Sequence, residues 1–134
     1  MRVAASLLAA ATLAACSSGP GRIATYQPPA GSNEVLRGPI EAAPGHQLVV
    51  GDLVSAPGSP IPRHYHHGEE FIYVQGGSAT VSRPGLPDLV LRAGEGVRIA
   101  PGVVHWGVSG PDGVRAITSW VVPDGQPLRV AVPE

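Results

Sequence analysis

Pro62-Arg-His-Tyr-His-His-Gly-Glu-Glu-Phe71 is the stretch on which the reading of this chain turns. Side chains alternate faces along an extended strand, so His64 and His66 project to one side while Tyr65 and His67 project to the other. Glu70 keeps the parity of the two imidazoles, and Gly68 lets the chain bend between them. Two imidazoles and a carboxylate on one face make a ready site for a divalent metal. For a fourth donor, His105 is the remaining histidine on an expected interior strand, whereas His46 lies in a Pro-Gly loop and is the weaker candidate. Parity sends Glu69 to the surface and leaves His67, at most, to support a ligand from behind.

Working outward from this stretch, short β-prone runs alternate with turn formers, and each run is too brief for an amphipathic helix. The expected strands are 34–37, 47–55, 61–66, 70–75, 78–82, 89–92, 97–99, 103–108 and 114–122. Turn chemistry lies between them, including Gly76-Gly77, which suits a tight hairpin because glycine tolerates positive φ, and Ser109-Gly-Pro-Asp-Gly113. By parity Ile72, Val74 and Val103 share the interior face with the donors and form a mostly apolar pocket. Tyr73 and Trp106 face away and, with Trp120, are read as packing residues, the surface of a homodimer being the alternative.

Composition agrees with one all-β domain. Gly (18) and Pro (15) are abundant, but they punctuate Val-rich runs rather than forming a low-complexity tract. With 43% hydrophobic and 14% charged residues the chain can bury a core. The net charge is −1, all nine cationic side chains are Arg, and no basic cluster exists, which argues against a nucleic-acid partner. No Ser-His-Asp arrangement or phosphate loop is present.

The amino terminus carries a different message. Residues 1–15 begin with Arg2 and continue as an apolar run ending in small side chains, the pattern of a cleaved signal peptide and too short for the about 20 residues of a spanning helix. Leu13-Ala14-Ala15-Cys16 resembles the bacterial lipobox, which implies lipidation of Cys16, the chain's single cysteine. Residues 16–33 then read as the lipidated Cys and a flexible tether with a mean span of roughly 20–25 Å. The expected folded domain is 34–134, held at the bacterial cell membrane or outer membrane, periplasmic or at the cell surface, through the anchor on Cys16.

The histidine motifs themselves resemble those of the cupins. The first motif of that family, Gly-x5-His-x-His-x3-Glu-x6-Gly, is met by Gly58, His64, His66, Glu70 and Gly77 with every spacing kept. The second, Gly-x5-Pro-x-Gly-x2-His-x3-Asn, is met by Gly94, Gly102 and His105, with Ala100 in place of Pro and Ser109 in place of Asn. The resemblance covers roughly 47–122 and implies a single-domain, all-β, cupin-type jelly-roll β-barrel in which His64, His66, Glu70 and His105 hold one divalent transition metal. Three imidazoles and one carboxylate leave open coordination positions, which suits Mn, Fe, Ni or Co better than a closed structural Zn site, while intrinsic affinity favours Cu or Zn. The expected function is that of a mononuclear-metal enzyme, dioxygenase-like or isomerase-like, acting on a small oxygenated molecule. The alternative is a non-catalytic module binding a small carbohydrate or acid at the cell envelope. A structural envelope protein has only the anchor in its favour.

Overall fold

Valine-rich runs cut by Gly and Pro leave no room for a helix, and the computed structural model, which describes residues 25–134, has none among them. Its eight strands are β1 (Gly31–Pro39), β2 (His46–Ser55), β3 (Pro60–Tyr65), β4 (Glu70–Ser82), β5 (Leu89–Arg92), β6 (Gly96–Ile99), β7 (His105–Pro123) and β8 (Val130–Ala131). The expected signal peptide 1–15 and the lipidated Cys16 lie outside the described residues. Strand β1 starts at Gly31, within the stretch read as tether.

Every strand pairing is antiparallel, and two long strands organise the rest. The second half of β7 lies between β2 and the first half of β4, and β1 and β6 complete that layer. The first half of β7 lies between β3 and the second half of β4, and β8 and β5 complete the other. Strands β4 and β7 thus pass from one layer to the other, the architecture of a jelly roll whose sheet does not close.

This corrects two expectations. Gly76-Gly77 is not a hairpin between separate strands, and Ser109 to Gly113 is not a turn, because β4 and β7 each run through those positions. The positive φ is real, +68° at Gly77 and +77° at Gly113. It is spent on a corner instead, where the β4–β7 register shifts on either side of Gly76 and Gly77. A Cβ on Gly77 would lie 2.1 Å from the Gly113 carbonyl oxygen, so the two strands turn together only because that atom is missing.

Between the layers, Val74, Ala79, Val81, Leu91, Ile99, Val114 and Ala116 form the main aliphatic core. Val49, Trp120 and Val122 form a second cluster, with Leu128 packed against it. Leu128 and β8 belong to a carboxy-terminal segment for which the sequence reading assigned no element; β8 pairs with the end of β3.

Candidate metal centre

The strand ladder brings the donors together. His64 on β3 stands directly opposite His105 on β7, and Glu70, the first residue of β4, stands opposite Trp120 further along β7. His66 follows β3, and its carbonyl accepts the Gly102 N–H at 2.8 Å, which docks the loop leading to His105 against the first motif. Gly68 is required for space rather than for φ, since a Cβ there would lie 1.5 Å from the Val121 carbonyl oxygen. The chain therefore passes tightly over β7 and returns Glu70 beneath the imidazoles. All four side chains are buried, and their ligand atoms lie within 4.8 Å of one another.

Each imidazole is held by a backbone carbonyl. Nδ1 of His64 lies 2.6 Å from Pro62 O, Nδ1 of His66 lies 2.5 Å from Leu128 O, and Nδ1 of His105 lies 2.9 Å from Val103 O. A carbonyl only accepts, so every Nδ1 is the donor and every neutral ring presents a lone pair at Nε2. Carbonyls that fix the ring and tautomer in this way are the usual support of a metal-ligating histidine. Glu70 Oε2 is buried without a hydrogen bond, although His105 Nε2 is 3.0 Å away and His66 Nε2 is 3.4 Å away. Lone pairs of four donors thus face one buried point, an arrangement that a cation relieves. The residues present therefore fit a metal.

The electrostatics agree. Burial alone would raise the Glu70 carboxyl, but its contacts with His105 and His66 outweigh this and hold it at about 2. Burial dominates at His64 and pushes it down to about 4, so this ring is neutral and available at neutral pH. At His105 burial acts downward as well, but the contact with Glu70 prevails and raises the ring above an ordinary histidine.

The other candidates lie elsewhere. His46 is half-buried at the start of β2, with Nδ1 3.3 Å from Pro44 O, and takes no part in the cluster. His67 packs edge-on against Tyr65, and Glu69 pairs with Arg98 on the outer face. Trp106 borders the cavity and carries Arg63 4.5 Å above its ring. Trp120 is packed as expected, but its Nε1–H also donates to His66 Nε2 at 3.3 Å, a contact that strand parity does not reveal.

The donors form one part of the wall of a cavity of about 340 Å³. Most of the remaining wall is apolar, with Leu53, Ile61, Ile72, Leu91 and Leu128 among its residues. The size and mostly apolar lining of this cavity are those common to small-molecule pockets.

The cupin domain family matches residues 51–122, more than half of the chain. The chain belongs to the cupin family. Among solved structures this cupin is similar to a cupin-like protein from Thermotoga maritima, with 26% identity over 67% of this chain and 66% of that one and a TM-score of 0.56. It is similar in fold to a conserved protein with a double-stranded β-helix domain from Klebsiella pneumoniae, with 20% identity, coverage of 86% and 100% and a TM-score of 0.56. A DMSP lyase from Ruegeria pomeroyi shares the fold at 22% identity and a TM-score of 0.55, over 67% of this chain and 44% of the lyase. The chain thus spans just under two thirds of the Thermotoga protein and less than half of the lyase. No curated protein matches it in sequence. At the two replaced positions of the second motif, Ala100 accepts the Val103 N–H through its carbonyl in the turn before His105, and Ser109 is buried, its N–H donating to Ser59 O.

Proposed function

We propose that His64, His66, Glu70 and His105 hold one divalent transition metal and that the chain is a mononuclear-metal enzyme, dioxygenase-like or isomerase-like, for a small oxygenated molecule. The observation that carries the reading is the common tautomer of the three rings, each Nδ1 spent on a carbonyl, with the Nε2 atoms of His66 and His105 against Glu70 and all four ligand atoms within 4.8 Å of one another. A divalent ion with open positions would supply Lewis-acid or redox activation of a bound oxygen. The chain's own residues do the rest. The imidazoles and Glu70 provide four fixed donors, the aliphatic wall excludes water, and the indole N–H of Trp120 donates a hydrogen bond to His66. Among the described residues lining the cavity, no acid or base stands outside the donor set apart from the Arg129 guanidinium. Chemistry on the ligand therefore depends on the metal in this reading.

Elemental analysis of the purified chain is expected to find about one transition-metal ion per molecule, and a His64→Ala, His105→Ala double variant is expected to lose it. Oxygen uptake or product formation across phenolic and enediol compounds then tests turnover. A loaded protein that turns over none of them, yet still melts at a higher temperature with one bound, is the binding module instead.

The chain is further proposed to be tethered to the envelope through a lipid on Cys16, supported by the match of residues 13–16 to a lipobox. Metabolic labelling with a radioactive fatty acid is expected to mark the protein, and Cys16→Ser is expected to abolish the label and release the chain from the membrane fraction.

A further inference from the structure

Arg129 is exposed and also lines the cavity, so it stands at the mouth. Ser32, on β1, is exposed and lines the cavity as well. Among the described residues Arg129 forms no ion pair, whereas Arg37, Arg98 and Arg115 each hold a carboxylate. Its backbone is pinned on both sides. The carbonyl of Leu128 before it accepts the His66 Nδ1–H, and Val130 after it pairs with Tyr65 in the β3–β8 ladder. The guanidinium is thus hung from a fixed backbone rather than from a loose tail.

Charge inside the cavity is one-sided. Among the described residues Glu70 is the only carboxylate in the wall, and it is committed to the imidazoles. With a divalent ion present the donor set carries a net positive charge, and Arg129 adds another. A neutral ligand would leave the guanidinium uncompensated, whereas a carboxylate matches its fork through two parallel hydrogen bonds. Between mouth and donors the wall offers mainly apolar surface, which favours an apolar body over a sugar rich in hydroxyls.

We propose that the cavity takes a small carboxylic acid with an apolar body, its carboxylate held by Arg129 at the mouth and its opposite end facing the four donors. This assignment rests on the reading of the donors as a metal site and narrows the class of molecule that the site accepts.

The chain's two tryptophans, Trp106 and Trp120, both line the cavity, so intrinsic fluorescence reports occupancy directly. The metal-loaded full chain is titrated at pH 7.5 with benzoate and hexanoate and with their amides, benzamide and hexanamide. At least one acid is expected to bind about tenfold or more tightly than its amide, a preference that shrinks as salt is raised. Arg129→Gln is expected to abolish the preference while leaving amide affinity and metal content unchanged, and Arg129→Lys to restore part of it. Equal binding of acid and amide, an acid preference that survives Arg129→Gln, or no response to any of the four compounds overturns the proposal. Metal analysis of the same samples separates the two readings. A chain without stoichiometric metal sinks the metal site, whereas a fully loaded chain that does not discriminate acid from amide sinks the carboxylate site alone.

Discussion

Along β4 the inward positions change character within a few residues. Glu70, at the donor end, is a buried carboxylate facing three imidazoles, while Val74 has no exposed surface and packs among Ala79, Val81, Leu91 and Ala116. Both ends line the same cavity, but they are built on opposite accounts of free energy. At the donor end four polar groups have been taken out of water, and one carbonyl per imidazole offsets only part of that cost. At the aliphatic end each side chain contributes burial, at about 25 cal/mol per Å² of apolar surface removed from water. The difference teaches that the fold is held by one end of the cavity, while the donor cluster at the other is a cost that the rest of the fold carries.

The largest effect is expected where stability is generated. Leu91→Ala removes a side chain that is 3% exposed in the main core, and a cost of about 3 kcal/mol follows from the lost burial and the space left behind. For a domain of this size that lowers Tm by about 15 °C. Metal per folded molecule, measured by elemental analysis well below the transition, is expected to stay at the wild-type value. A variant that stays folded but loses its metal would break the separation between the two ends.

A smaller effect, of opposite character, belongs to the donor end and appears on acidification of the metal-free protein. His64 is held at about 4, below the 6.5 of the unfolded chain. Between these values the unfolded chain binds a proton that the folded chain refuses, so the folded state loses stability as pH falls from 6.5 toward 4. A loss of about 2 kcal/mol across that window is the expected size. Glu70 acts in the same direction but lower, its contribution being complete above 4.5 and lost as pH falls through about 2. His105 acts the other way, since its raised ring stabilises the fold below 6.5 and that contribution is lost as pH rises through its folded value. Urea melts of chelator-treated protein at several pH values measure the profile. His64→Leu is expected to flatten the 6.5-to-4 segment without lowering stability at neutral pH, because an apolar side chain replaces a buried polar one. An unchanged segment in that variant would assign the acid sensitivity to some other group.

The two ends were also unequally legible in the sequence. His64, His66 and Glu70 share one short stretch, and strand parity alone places them on one face; His105 needed the spacing of the second motif. What was hidden depends on distant pairing. Gly77 advertises positive φ, but only its partner Gly113 decides that the chain turns a corner rather than a hairpin. Leu128, whose carbonyl holds His66, and Arg129 come from a carboxy-terminal segment with no hydrophobic period to announce it. The donors themselves were therefore readable, whereas their supports, which reach them across the sheet, were not.

Trp120 sits on the boundary between the two ends and gives the finest test. Its ring packs with Val49, Val122 and Leu128, while its Nε1–H donates to the nitrogen of His66 that faces Glu70. Without metal, this N–H occupies a lone pair that a metal would claim. Trp120→Phe keeps an aromatic ring in the second cluster and removes the donor, so the metal-free site loses a competitor. At 3.3 Å the hydrogen bond is long, and its net worth lies near the low end of the usual range, about 0.5–1 kcal/mol. Metal affinity, measured by competition with a chromophoric chelator, is therefore expected to rise by about two- to fivefold. A fall in affinity would show that the indole supports the loaded site instead, and that the packed side of the cavity reaches into the donor end after all.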